Sequence, residues 1–150
     1  MGTKKAMYEP KFWETSSGRG HWTRLYDDLM DSAAYTGLSP ESKILYLYLK
    51  REYKGAYNEV KDTVILPYSQ ATKKIGVGDA TIKICLYELE QFGFIESRGS
   101  GGLYRVPNQY TFIAKWKYIS EEEAKTIKEA VKSYRKQYRQ GASGFSSGLP

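Results

Sequence analysis

The chain has 150 residues, about one domain's worth, and its 41% apolar share, with fourteen tyrosines, is enough for one strongly aromatic core. It contains no run of eighteen apolar residues and no basic, apolar leader, so the expectation is a cytoplasmic protein without a membrane span. One cysteine and one histidine exclude an internal disulfide and a four-ligand Cys/His zinc site. The formal charge of +6 points to a polyanionic partner, but it is uneven: residues 1–24 hold five Lys/Arg against two Glu (+3), residues 25–114 ten against eleven (−1) and residues 115–150 eight against four (+4).

Residues 1–21 show no period and read as a flexible basic leader, with Phe12 and Trp13 isolated among Gly, Ser, Thr and Lys. The alternative is an arm that docks its aromatics on the domain or lays its lysines along a phosphate backbone. From Trp22 the spacing of Trp22, Leu25, Tyr26, Leu29 and Met30 suits one helix face, broken at Asp31-Ser32 into two short pieces that end near Gly37. Ser39-Pro40 is a helix start, with serine as N-cap and proline where a missing N–H costs nothing. The helix from Pro40 to about Tyr53 is apolar nearly all round, Ile44 to Leu49 in sequence, and should be central and buried. A polar connection, 55–62, leads to a short strand at Val64-Ile65-Leu66, ended by Pro67.

Helical spacing resumes near Tyr68 or Ser69 with Ala71 and Ile75 on one face, and Gly76-Val77-Gly78 supplies a turn with the freedom of positive φ. Asp79 is placed to cap a second helix, accepting from the amide of Thr81 or Ile82. Ile82, Leu86 and Leu89 mark that helix's inward face, Gly93 ends it, and Phe94-Ile95 begin a strand. The glycines at 99–102 form a hairpin turn to a return strand at Asn108–Ile113, which Pro107 limits to an edge position or a start position.

The last strong signal is a helix from Ser120 to Gln140. Ser120 and Glu123 make a capping box, Glu121 to Glu123 and the later Lys132, Arg135, Lys136 and Arg139 suit the helix dipole, and Gly141 closes it. Ala124, Ile127, Val131, Tyr134 and Tyr138 form a seam of two heptads. That is too short for an autonomous coiled coil, so the helix packs on the domain, pairs with its counterpart in a second subunit, or does both. Residues 141–150 are Gly/Ser-rich and expected to be disordered.

No constellation supports catalysis, and no cofactor or metal is implied. Gly144–Gly148 matches the G-x-S-x-G string, but without a strand-to-helix turn or a histidine base nearby it lacks the chemistry of a nucleophile elbow. The 99–102 glycines lack the following Lys-Ser/Thr of a phosphate loop.

Between Leu66 and Ile95 the chain resembles the winged helix-turn-helix family of DNA-binding domains. The residues that carry the resemblance are Ala71, Gly76 and Val77 at the turn, Thr81 and Ile82 opening the second helix, and Leu89, Glu90, Gly93, Phe94 and Ile95 at its exit. Over residues 22–116, with Leu38, Ser39, Lys43, Leu45, Tyr46 and Leu49 as lead block, it is similar to the N-terminal domain of plasmid and phage replication initiators of low-GC Gram-positive bacteria. The resemblance implies a mainly α fold with a small antiparallel sheet (α+β), organised as leader 1–21, winged helix 22–116, amphipathic helix 117–140 and tail 141–150. It also implies sequence-specific binding of double-stranded DNA, in replication initiation or transcription regulation. The second helix would enter the major groove with Asp79, Ala80, Thr81, Lys83, Ile84 and Tyr87 outward. Ser69, Lys73 and Lys74 on the preceding helix would lie near the backbone, and Arg98, Tyr104 and Arg105 would flank the wing. Two-fold dimers of such domains read paired half-sites, so a homodimer through the C-terminal helix is expected. The alternative is a winged helix for protein–protein interaction, favoured by the near-neutral centre and by outward Ile84 and Tyr87.

Overall fold

The computed structural model describes residues 9–16, 21–53, 62–98 and 108–147, and of 141–147 the backbone alone. The order is α1 (Asp27–Met30), α2 (Ala33–Gly37), α3 (Pro40–Glu52), β1 (Thr63–Leu66), α4 (Tyr68–Ile75), α5 (Asp79–Gln91), β2 (Ile95–Ser97), β3 (Asn108–Phe112), a 3-10 helix (Lys115–Tyr118) and α6 (Glu121–Ser147). The fold is α+β: helices and one three-stranded antiparallel sheet in the order β1-β3-β2. Val64 and Ser97 stand on either side of Tyr110 in register. β3 is therefore the central strand, and of the two positions that Pro107 permits only the start position remains. The Gly-rich hairpin turn, Tyr104 and Arg105 lie outside the described residues.

The local signals act as their chemistry dictates. Ser39 caps α3, its Oγ accepting from the Ser42 amide, with Pro40 in the first turn. Ser32 caps α2 through the Tyr35 amide. Gly76 takes φ 82° and its N–H closes α4 on the Thr72 carbonyl. Gly93 takes φ 79°, and its carbonyl accepts from the Trp116 amide, which docks the 3-10 helix on the end of α5. A Cβ at Gly93 would lie 2.6 Å from Lys115 Cβ and 2.8 Å from the Trp116 nitrogen.

The core gathers Leu45 and Leu49 of α3, Val64 and Leu66 of β1, Ala71 of α4, Ile82, Leu86 and Leu89 of α5, and Phe92 and Phe94 of the turn after it. Full burial of each Phe contributes about 1.5–3 kcal/mol. Phe94 meets Tyr46 at 5.1 Å and stacks on Trp116 at 6.0 Å, so the aromatic richness of the sequence is spent in the centre. α6 joins the same core through Ala124 and Val131 rather than standing apart as its own unit.

Four expectations are corrected. α1 is one turn only: residues 21–26 are not helical, and Trp22, Tyr26 and Met30 are exposed while Leu25 and Leu29 turn inward. α3 is not buried all round, because Ile44 and Leu47 face solvent. Gly78, not Asp79, is the N-cap of α5; Asp79 is its first residue, and no side chain caps this end. Gly141 does not end α6, which runs on to Ser147, since one glycine inside a nucleated helix costs only about 1 kcal/mol.

Candidate nucleic-acid interface

The α4-turn-α5 unit is held from behind by Ala71, Ile82, Leu86 and Leu89 in the core, which turns the opposite sides of both helices outward. On α4, Ser69, Lys73 and Lys74 are exposed. On α5, Asp79, Ala80 and Lys83 are exposed and Thr81 is half-buried. Arg98 is exposed at the root of the β2–β3 hairpin, where its amide extends the strand pairing to the Gln109 carbonyl at 2.8 Å. Among the described residues none of Lys73, Lys74, Lys83 and Arg98 is in an ion pair.

Ile84 and Tyr87 depart from the outward placement. Ile84 stands about 200° round the helix from Ile82, away from the core side, yet is 1% exposed. The cause is α6, which runs antiparallel along the outer side of α5. Ala124 and Phe92 meet at Gly37, Tyr134 stacks on Tyr87 with ring centroids 3.9 Å apart, and Arg135 reaches Glu88 at 3.8 Å. The seam of Ala124, Ile127, Val131, Tyr134 and Tyr138 is thus used within the chain, against α5 and α2.

Glu88, 2% exposed, is a residue the sequence did not single out. Its carboxylate accepts from the Ser39 amide, the Ser39 hydroxyl (2.9 Å) and the Ser42 hydroxyl (2.8 Å), so a side chain of α5 satisfies the N-terminus of α3. With Arg135 it bolts α3, α5 and α6 together.

Between α4, α5, the sheet and α6 lies a cleft of about 260 Å³ lined by Tyr68, Lys83, Tyr87, Glu90, Tyr110 and Tyr134 among others. Burial pushes the Tyr110 phenol far up, helped by its hydrogen bond with Tyr68, and burial likewise raises Tyr134, opposed by Lys83. Burial also lifts the Glu90 carboxyl above the ordinary glutamate range, against the Ser97 amide that it accepts at 3.0 Å. Tyr68 and Tyr134 were missed as site residues: each reads locally as a packing residue, and only the tertiary arrangement brings them beside Lys83.

No group of three or more metal-ligating side chains occurs among the described residues, and none of the helices described is long and apolar enough to cross a membrane. Comparisons with known protein families, curated proteins and solved structures return no match to this chain.

Proposed function

We propose that the chain binds double-stranded DNA through α4, the Gly76–Gly78 turn and the first turns of α5, in a winged-helix arrangement, as a cytoplasmic replication initiator-like or transcription regulatory protein of a mobile element. The observation that carries this reading is what remains exposed on the two helices: Lys73, Lys74 and Lys83, without ion pairs among the described residues, next to the open N-terminus of α5. Phosphates supply most of the affinity of such contacts, and cations free of internal partners are the groups that meet them at least cost. Ser69 and Ala80 are close enough in sequence to these lysines to share the surface, and Arg98 offers a further cation from the hairpin. Base reading then falls to the edge of α5 that carries Asp79, Ala80 and Lys83, with Asp79 suited to a cytosine amine.

The protein-interaction alternative rests on the near-neutral centre, which stands, and on Ile84 and Tyr87 as an outward apolar face. Those two side chains are taken up by α6, so α5 has lost the surface that favoured it. The seam of α6 packs on α5 and α2, so a homodimer through α6 would have to use the helix's outer face as well, and a monomer is the simpler binding unit. Selection of bound sites from a pool of random duplexes, with the full chain, tests the proposal. Enrichment of a shared short sequence is expected, and its loss on Lys83→Ala with an unchanged melting temperature ties it to α5. A pool that returns no enrichment contradicts it.

A further inference from the structure

Large aromatic side chains left in water mark contact surfaces when they cluster. Among the described residues, Phe12, Trp13, Trp22, Tyr26 and Tyr118 are the exposed aromatics, and four of the five lie in the first 26 positions. Those positions also hold five Lys/Arg against two Glu.

The segment 22–26 is ordered against the domain. Burial alternates along it, with Thr23 and Leu25 half-buried and Leu25 packed on the core, so Trp22, Arg24 and Tyr26 share the outer side. Trp22 is 62% exposed and Tyr26 58%. The Arg24 guanidinium lies 4.4 Å from the Trp22 ring centroid and 5.3 Å from that of Tyr26, and its Nη1 donates to the Tyr26 hydroxyl at 2.6 Å. Lys50, near the end of α3, donates to the Arg24 carbonyl and fixes the backbone of the ladder. Lys50 and Ser39 are at opposite ends of α3, about 16 Å apart along its axis. The ladder is therefore away from the Ser39–Glu88 junction where α5 and α6 meet.

We propose that Trp22, Arg24 and Tyr26 form a stacking platform for single-stranded nucleic acid, built of residues other than those proposed to bind duplex. The ring faces that Arg24 leaves uncovered, with its cation beside them, suit unpaired bases and their phosphates, since every base offers a flat face and each nucleotide a charge. A duplex hides its base faces in its own stack and cannot use the rings. A protein partner would have to take the exposed Arg24 guanidinium out of water, a desolvation cost that a phosphate offsets.

The test uses the intact chain and the fluorescence anisotropy of an end-labelled oligonucleotide, a readout that does not depend on Trp13, Trp22 or Trp116 and so survives removal of Trp22. Labelled oligo(dT) of about 16 nucleotides, the upper range of such sites, should gain anisotropy saturably, with oligo(U) as the arm that separates DNA from RNA. Trp22→Ala should weaken binding about tenfold, Trp22→Phe should restore most of it, and Arg24→Gln should flatten the log–log salt dependence by about 0.7. All three substitutions are at exposed sites, so the melting temperature should hold. Lys83→Ala should leave oligo(dT) binding untouched, which keeps this result independent of the duplex reading. Absence of binding, equal binding by Trp22→Ala, or complete competition by poly-glutamate would overturn the proposal.

Discussion

Glu88→Ala tests whether one buried carboxylate holds α3, α5 and α6 in place. The substitution leaves the Ser39 N–H, at the start of α3, without its acceptor. The two hydroxyls can fall back on each other, since Ser39 Oγ and Ser42 Oγ are 3.1 Å apart, and half-exposed Arg135 can turn to water. What remains is one orphaned half-buried amide, at the lower end of about 1–3 kcal/mol, and a small cavity, which together cost about 2–3 kcal/mol. Glu88→Gln keeps the shape and one acceptor for the amide, and should cost about 1 kcal/mol. Arg135→Ala should cost no more than about 1 kcal/mol, as an ion pair with one exposed partner is worth little. Urea unfolding at neutral pH, with the slopes of all three variants compared, gives the ordering. If Glu88→Ala falls within about 0.5 kcal/mol of wild type, or Arg135→Ala costs as much as Glu88→Ala, the carboxylate is not the bolt described.

Gly76→Ala should cost about 1–2 kcal/mol, because φ 82° is strained for alanine but the space is open, whereas Gly93→Ala meets backbone at 2.8 Å and should cost clearly more; thermal unfolding of the pair separates strain from clash. Ile127→Asp with Val131→Asp should lower the melting temperature of a chain that sediments as a monomer, since this seam packs inside the molecule; a wild-type dimer that the pair converts to a stable monomer would contradict the packing. For Glu90 the folded carboxyl is raised by burial, so its contribution to stability is fully present below the ordinary glutamate range and is lost as pH rises through the raised value. Glu90→Gln should therefore melt slightly above wild type at neutral pH, with the difference closing below pH about 4; a variant that melts lower at neutral pH would show that the Ser97 hydrogen bond to the carboxylate outweighs burial.

The centre of the fold was legible because its signals are local. Ser39-Pro40, Pro67 and Gly76 act within a few residues of themselves, and Ile82, Leu86 and Leu89 have one period and one reading. The start was not, because Trp22, Leu25 and Tyr26 fit a helix as well as they fit an extended stretch with Leu25 inward, and no capping residue precedes them to decide. Ile84 shows the limit at the site. Its position on α5 correctly places it away from the core, but whether that side meets solvent or another helix depends on α6, some fifty residues later. Glu88 was silent for the same reason: its partners at Ser39 and Ser42 are more than forty residues away in sequence. The lysines were legible because an exposed cation needs no tertiary partner.

If duplex DNA is bound by the exposed cations of α4, α5 and the hairpin root, affinity must fall with salt in proportion to the phosphates they meet. With a selected duplex, wild type should lose affinity with a log–log slope steeper than about −3, and removing Lys73, Lys74, Lys83 and Arg98 one at a time should flatten it by about 0.9 for each. A slope unchanged by all four substitutions, or duplex binding that does not weaken with salt, would contradict the account.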